Sequence, residues 1–184
     1  HRELELGQPR LVIGLGRDAA EALKSAYPEA RQLGRPVSAP HANARAAAHP
    51  EREVFVDGQG RITYGELKDK VERCAAFLRS IGIARDDVVT IQLPNRIAFP
   101  IVFFSLELIG AIANKVNPDF RVRELDYILR YSGSRAFVCP SSFKDFDYLE
   151  MARGLRDTLP ELEHVVVAGS VVEGEWNLER GIAE

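Results

Sequence analysis

The 184-residue chain is 46% hydrophobic and 28% charged, the balance of a folded globular protein rather than of a disordered or fibrous one. Its formal net charge of −3 is dispersed and no long run of like charges occurs, which argues against an acidic tail or a nucleic-acid surface. Two cysteines, Cys74 and Cys139, sit inside apolar segments rather than in metal or redox motifs, and read as reduced core thiols in a cytoplasmic protein.

At the N-terminus no secretory signal is visible, although the numbering opens on His1 rather than on methionine. Leu11 to Ala19 forms an apolar strand pattern running into Gly14-x-Gly16-x-x-Ala19 and then a helical pattern, which on its face is a dinucleotide fingerprint. The required second strand, ending in an acid about twenty residues on, is missing: Arg35 to Pro40 is short and bounded by prolines. Residues 1–36 are therefore expected to be a strand-turn-helix extension whose glycines serve a turn, and Pro36 to Pro40 a linker.

A short helix from Pro40 to about Ala48 leads to two short strands flanking Asp57-Gly58, a hairpin signal. His49 precedes a proline at the helix end and reads as a solvated cap, while His1 and His41 have no partner at metal-ligand spacing. Thr63-Tyr-Gly-Glu66 is a capping box, and Leu67, Val71, Cys74, Ala75, Leu78 and Ile81 follow on one helical face. Gly82 supplies the left-handed residue that closes this helix, with Ile83 folding back on it.

The next stretch reads as a βαβ unit: a strand from Val88 to Gln92, a loop through Leu93-Pro94-Asn95, an apolar helix to about Leu108, a break at Gly110 and a strand ending near Asn117-Pro118. Almost every side chain between Ile97 and Ile112 is apolar, so the helix is expected to be buried on most sides. Pro100 and Glu107 interrupt the run, which falls short of the roughly 18 to 20 apolar residues of a membrane span. Beyond Pro118 the pattern predicts a helix from Arg121 to Tyr131 stopped at Gly133, a strand from Arg135 to Cys139, a helix from about Asp147 to Leu159 and a strand from His164 to Ala168. This alternation is the signature of an α/β fold with three layers, a mostly parallel sheet covered by helices on both faces. Residues 169–184 do not repeat the pattern and are read as a connector.

A search for chemistry finds no nucleophile elbow, zinc-protease motif or P-loop. Asp86-Asp87 could hold Mg²⁺ in principle, but two acids after a glycine-closed helix read as a solvated turn. Ser141-Ser142 is expected to cap the helix that follows, and Glu107 to reach the surface or pair. His164 is read as a strand-end histidine.

Taken together, several segments resemble the adenylate-forming superfamily of acyl-CoA and aryl-CoA synthetases, peptide-synthetase adenylation domains and luciferases. They are Ile62-Thr-Tyr-Gly-Glu-Leu67, Gly82 to Val89, Gln92-Leu-Pro-Asn95, Leu106 to Pro118 and Arg123 to Leu129, in the family's order and spacing from about Val37 to Ala168. Asp86 stands where the family pattern prefers glycine, implying a different turn, and Ile109 replaces a small residue before Gly110, implying tighter packing. The resemblance implies an N-terminal fragment, with residues 37–168 as an α/β subdomain, of a longer enzyme that uses ATP and Mg²⁺ to activate a carboxylic acid and passes the acyl group to coenzyme A. It implies no catalytic, cofactor-binding or metal residue in this chain, since those motifs lie further along, so the fragment alone is expected to be inactive. Two rivals remain: a non-catalytic interaction module on the same scaffold, and a Rossmann-type nucleotide binder using Gly14 and Gly16. Homo-oligomerisation is left open.

Overall fold

The computed structural model describes residues 39–58, 60–170 and 173–183; the side chains of residues 39–43 are not part of the description. The glycine-rich pattern at Gly14 and Gly16, His1, and the side chain of His41 therefore lie outside it.

Helix α1 (Ala39–Ala48) precedes a hairpin of β1 (Glu53–Asp57) and β2 (Gly60–Thr63). Asp57 proves to be the last residue of β1, paired with Gly60, rather than the first residue of the turn. Its carboxylate explains the shift, because it accepts from the Gly60 N–H at 3.0 Å and from the Ile97 N–H, forty residues away, at 2.8 Å.

Helix α2 (Tyr64–Ser80) begins at the capping box: Thr63 Oγ1 accepts from the Glu66 N–H at 3.2 Å, and the Glu66 carboxylate accepts from the Thr63 N–H at 2.8 Å. At its end Gly82 adopts φ +94°; its N–H donates to the Arg79 carbonyl and the Ile83 N–H to the Leu78 carbonyl, the two bonds of a Schellman motif. Strand β3 (Val88–Ile91), helix α3 (Ala98–Ile109) and strand β4 (Ile112–Lys115) form the βαβ unit. Gly110 ends α3 in the same way as Gly82 ends α2, with φ +79° and Ala111 N–H donating to Leu106. Helix α3 is buried on most sides, as expected: Ile101, Val102, Phe104 and Leu106 are buried, and within the helix Glu107 and Leu108 alone are exposed.

At Asp86 the structure corrects the expected departure. The residue takes φ +69°, the left-handed region that glycine enters without strain, so the turn is of the glycine type and the aspartate tolerates it. The acids do not converge on a metal site. Asp87 Oδ2 accepts from the Ala84 N–H at 2.7 Å and from Arg135 Nη1 at 2.9 Å, while the Asp86 side chain is exposed.

Helix α4 (Val122–Ser132), strand β5 (Ser134–Pro140), a small hairpin of β6 (Ser142–Phe143) and β7 (Phe146–Asp147), and helix α5 (Tyr148–Thr158) follow. The side-chain cap of α5 is Asp147, which accepts from the Glu150 N–H at 2.9 Å, rather than the hydroxyl of Ser141 or Ser142; the β6–β7 hairpin intervenes in sequence and returns Ser141 to the helix start, where its backbone carbonyl accepts from Tyr148 and Leu149. Strand β8 (His164–Ala168) starts at His164, whose pKa burial pushes below the ordinary imidazole value against the opposing pull of Glu163.

The stretch read as a connector is a further β-α step: β9 (Trp176–Asn177) pairs parallel with β8 and leads into α6 (Leu178–Ala183). Two residues are too few to show a strand period, which is why the sequence hides it. Five parallel strands thus lie in the order β4-β3-β5-β8-β9. Alternate residues of each strand face opposite layers: Ala136, Val138, Val166 and Ala168 pack with α2, α3 and α6, and Phe137, Cys139, Val165 and Val167 with α4 and α5. The three-layer architecture expected from the alternation of elements is the one observed.

Candidate functional site at the carboxyl edge of the sheet

In chain order the parallel strands stand as second, first, third, fourth and fifth, so the chain reverses direction between β3 and β5. In open α/β sheets the crevice outside the carboxyl ends of the strands at such a reversal is where ligands bind. Here that crevice is framed by Gln92-Leu93-Pro94-Asn95 after β3, the β6–β7 hairpin after β5, and residues 116–121 after β4.

Gln92 is wholly buried at the end of β3. Its Nε2 donates to the carbonyls of Asn117 at 3.0 Å, Phe120 at 2.9 Å and Pro118 at 3.4 Å, which fixes the amide orientation. Two further donors converge on the same loop. Arg121 Nη1 bonds the Pro118 and Phe120 carbonyls at 2.8 and 2.9 Å, and Tyr148 Oη donates to Pro118 at 2.7 Å. β3, the start of α4 and the start of α5 are thereby tied at one point. Gln92 Oε1 is buried without a hydrogen-bond partner among the described residues.

Cations and rings line the rim. Arg96 lies 5.7 Å and Lys144 5.4 Å from the centroid of the Phe143 ring, and Arg121 stands 4.1 Å from that of Phe146. Lys144 and Asp145 both take positive φ, at +49° and +58°, the conformation a two-residue type I′ hairpin turn demands.

Several backbone N–H groups along this edge are held by carboxylates and a carbonyl of the chain itself. At α3 the Asp57 carboxylate takes the Ile97 N–H; at α5 Asp147 takes Glu150 and the Ser141 carbonyl takes Tyr148 and Leu149; after β8, both Glu179 oxygens take the Gly169 N–H, at 3.0 and 2.9 Å. No group of three or more His, Cys, Asp or Glu side chains is arranged to hold a metal among the described residues. No chemical step is assigned to these residues. The bracing roles of Asp57 and Gln92 at this edge carry no local sequence signal, because their partners Ile97, Asn117 and Phe120 are brought to them by tertiary folding.

Fold and edge define a doubly wound α/β unit with a braced carboxyl edge. Residues 42–182 match the family model described as AMP-binding enzyme, and the chain belongs to that family. It is 33% identical over 129 residues to the 2,3-dihydroxybenzoate-AMP ligase of Bacillus subtilis, covering 70% of this chain and 24% of that protein. It is 32% identical over 154 residues to the 2-hydroxy-7-methoxy-5-methyl-1-naphthoate–CoA ligase of Streptomyces carzinostaticus, covering 84% of this chain and 27% of that protein. Among solved structures, apo MbtA of Mycobacterium smegmatis superposes with a TM-score of 0.70 at 27% identity, covering 88% of this chain and 30% of that one. The chain thus spans about a quarter of the length of the curated relatives it matches.

Proposed function

We propose that this chain is the N-terminal α/β scaffold of a longer ATP-dependent, AMP-forming carboxylic acid ligase, and that its own residues brace the site rather than perform the reaction. In that reaction the carboxylate oxygen attacks the α-phosphorus of ATP, an acyl-adenylate forms and pyrophosphate leaves; coenzyme A is the acceptor we favour for the acyl group. The observation that carries the reading is the family match over residues 42–182. A bracing role for the edge is supported by the N–H groups of Ile97, Glu150 and Gly169, which are held by this chain's own carboxylates. Aromatic acids bearing a hydroxyl next to the carboxylate are the class to test first, because the two relatives above act on a dihydroxybenzoate and a hydroxynaphthoate.

The test is ATP–pyrophosphate exchange by the longer protein containing this chain, with hydroxybenzoates and medium-chain fatty acids as substrates, followed by thioester formation with coenzyme A. Exchange stimulated by a hydroxybenzoate is expected, and the 184-residue chain alone should give none. If no carboxylic acid stimulates exchange, the ligase reading fails.

A further inference from the structure

His164 opens β8 at the amino edge of the sheet, with 17% of its side chain in solvent. By the alternation of the strand it shares a face with Val166, the residue that pairs with Trp176 of β9. The imidazole meets the indole of Trp176 in a T-shaped contact, with ring centroids 6.4 Å apart. Trp176 in turn meets Phe77 of α2 at 6.1 Å, and Phe77 bears directly on α6, where Gly181 leaves no room for a Cβ against its ring. One aromatic row thus runs from β8 through β9 to α2 and α6. Because β9 is only two residues long, side chains rather than backbone pairing must hold it. The Glu175 ion pairs hold it from the α5 side, and the aromatic row holds it from the other.

The charges around the imidazole are already committed to one another. Glu163 Oε2 lies 3.7 Å from His164 Nε2, but the two Glu163 oxygens accept from Arg135 at 3.0 and 2.9 Å. Asp87, the other carboxylate acting on the ring, also accepts from Arg135, and Glu175, just before β9, is taken up by Arg153 and Arg156. On the β9 side the ring meets an indole, which does not titrate. We propose that His164 is a proton-operated catch for the last βα step: when its ring takes up a proton it leaves the indole for solvent, and β9 with α6 loosens from the sheet. The sign follows from the surroundings. Burial, and then the Arg135 guanidinium, hold the His164 pKa below the ordinary value against the pull of Glu163 and Asp87. Above the ordinary value of about 6.5 the ring is neutral in the closed and opened forms, and the catch holds. Below it the opened form binds the proton first, so this stabilisation is lost as pH falls through the lowered closed-state value. The catch is independent of the reaction proposed above.

Residue-resolved amide exchange of the 184-residue chain, corrected for the intrinsic effect of pH, is the test. Arg180 is the site to read, because its N–H donates to Asn177 Oδ1 at 2.8 Å and so reports the junction of β9 and α6. Its opening constant should rise roughly two- to fivefold from pH 7.5 to 5.5, while that of Ile83, at the end of α2, stays level. Acrylamide quenching of Trp176, the single tryptophan, should increase over the same interval. His164→Phe keeps a ring against the indole and removes the proton, so the pH step should vanish; His164→Gln serves if that variant does not fold. A flat profile in the parent chain would overturn the proposal, as would a step that survives the substitution of His164. Slower opening in acid would overturn it too, since the imidazolium would then bind the indole face instead of leaving it. A step of equal size at Ile83 would show the whole fold loosening rather than its last βα step.

Discussion

Asp57 shows how a single carboxylate can organise elements distant in sequence. It receives the N–H of Gly60 within its own hairpin and that of Ile97 at the start of α3, which has no capping side chain of its own. Negative charge at a helix start is stabilising both as a hydrogen-bond acceptor and against the helix dipole. Asp57→Ala should therefore cost about 1–2 kcal/mol in urea unfolding and speed amide exchange at Ile97 and Gly60 before other sites. Exchange that rises evenly across the molecule would contradict the local role. Asp57 was legible only as a turn residue, because a cap normally lies next to its helix and this one arrives from another element. Asp86 is the converse case: the sequence showed a non-glycine where glycine is preferred, and the backbone kept the glycine conformation all the same.

At the scale of elements, local rules served well wherever both partners are neighbours in sequence. The Thr63–Glu66 box, the Gly82 and Gly110 stops and the alternating faces of β5 and β8 all follow from short-range pattern. The segment after β8 was not legible, because what holds it is a long-range ionic clasp. Glu175, only 2% exposed at its side chain, bonds Arg153 Nε at 2.9 Å and both terminal nitrogens of Arg156, and so fastens β9 to α5. Both arginines keep a third or so of their side chains in solvent, so removing the acid leaves cations that can rehydrate. Glu175→Ala should then cost about 2 kcal/mol, below the usual range for breaking a fully buried pair. The loss should appear first as proteolytic cleavage between residues 169 and 178. A variant as resistant to protease as the parent would show that β9 is held by Trp176 and Leu178 packing instead.

For the molecule as a whole, the question is whether the two apolar layers on either side of the sheet form one cooperative unit. Each carries one fully buried thiol: Cys74 among α2 and α3, Cys139 between β5 and α5. Burial pushes the Cys74 pKa up to about 11, outweighing its hydrogen bond with Ser105, and pushes that of Cys139 higher still. Neither thiol is a nucleophile in the folded state, so each should react with a disulfide reagent only through opening of its layer. The five strands are shared by both layers, and Val165, Val166 and Val167 alternate between them without a break. Both cysteines should therefore label in a single phase whose rate tracks global stability. Two phases, one for Cys74→Ala and another for Cys139→Ala, would show that the layers open separately. The same thiols set an alkaline limit. Above about pH 9 the unfolded chain releases thiol protons that the folded chain retains, so stability falls as pH rises, by about 1.4 kcal/mol per unit for each cysteine. For Cys74 the fall should end near pH 11, where the folded thiol itself ionises. Comparing the parent with Cys74→Ala in urea titrations isolates this slope from the tyrosines and lysines that titrate in the same range. Parallel stability curves for the two proteins between pH 9 and 11 would show that the Cys74 thiol is not held protonated by the fold.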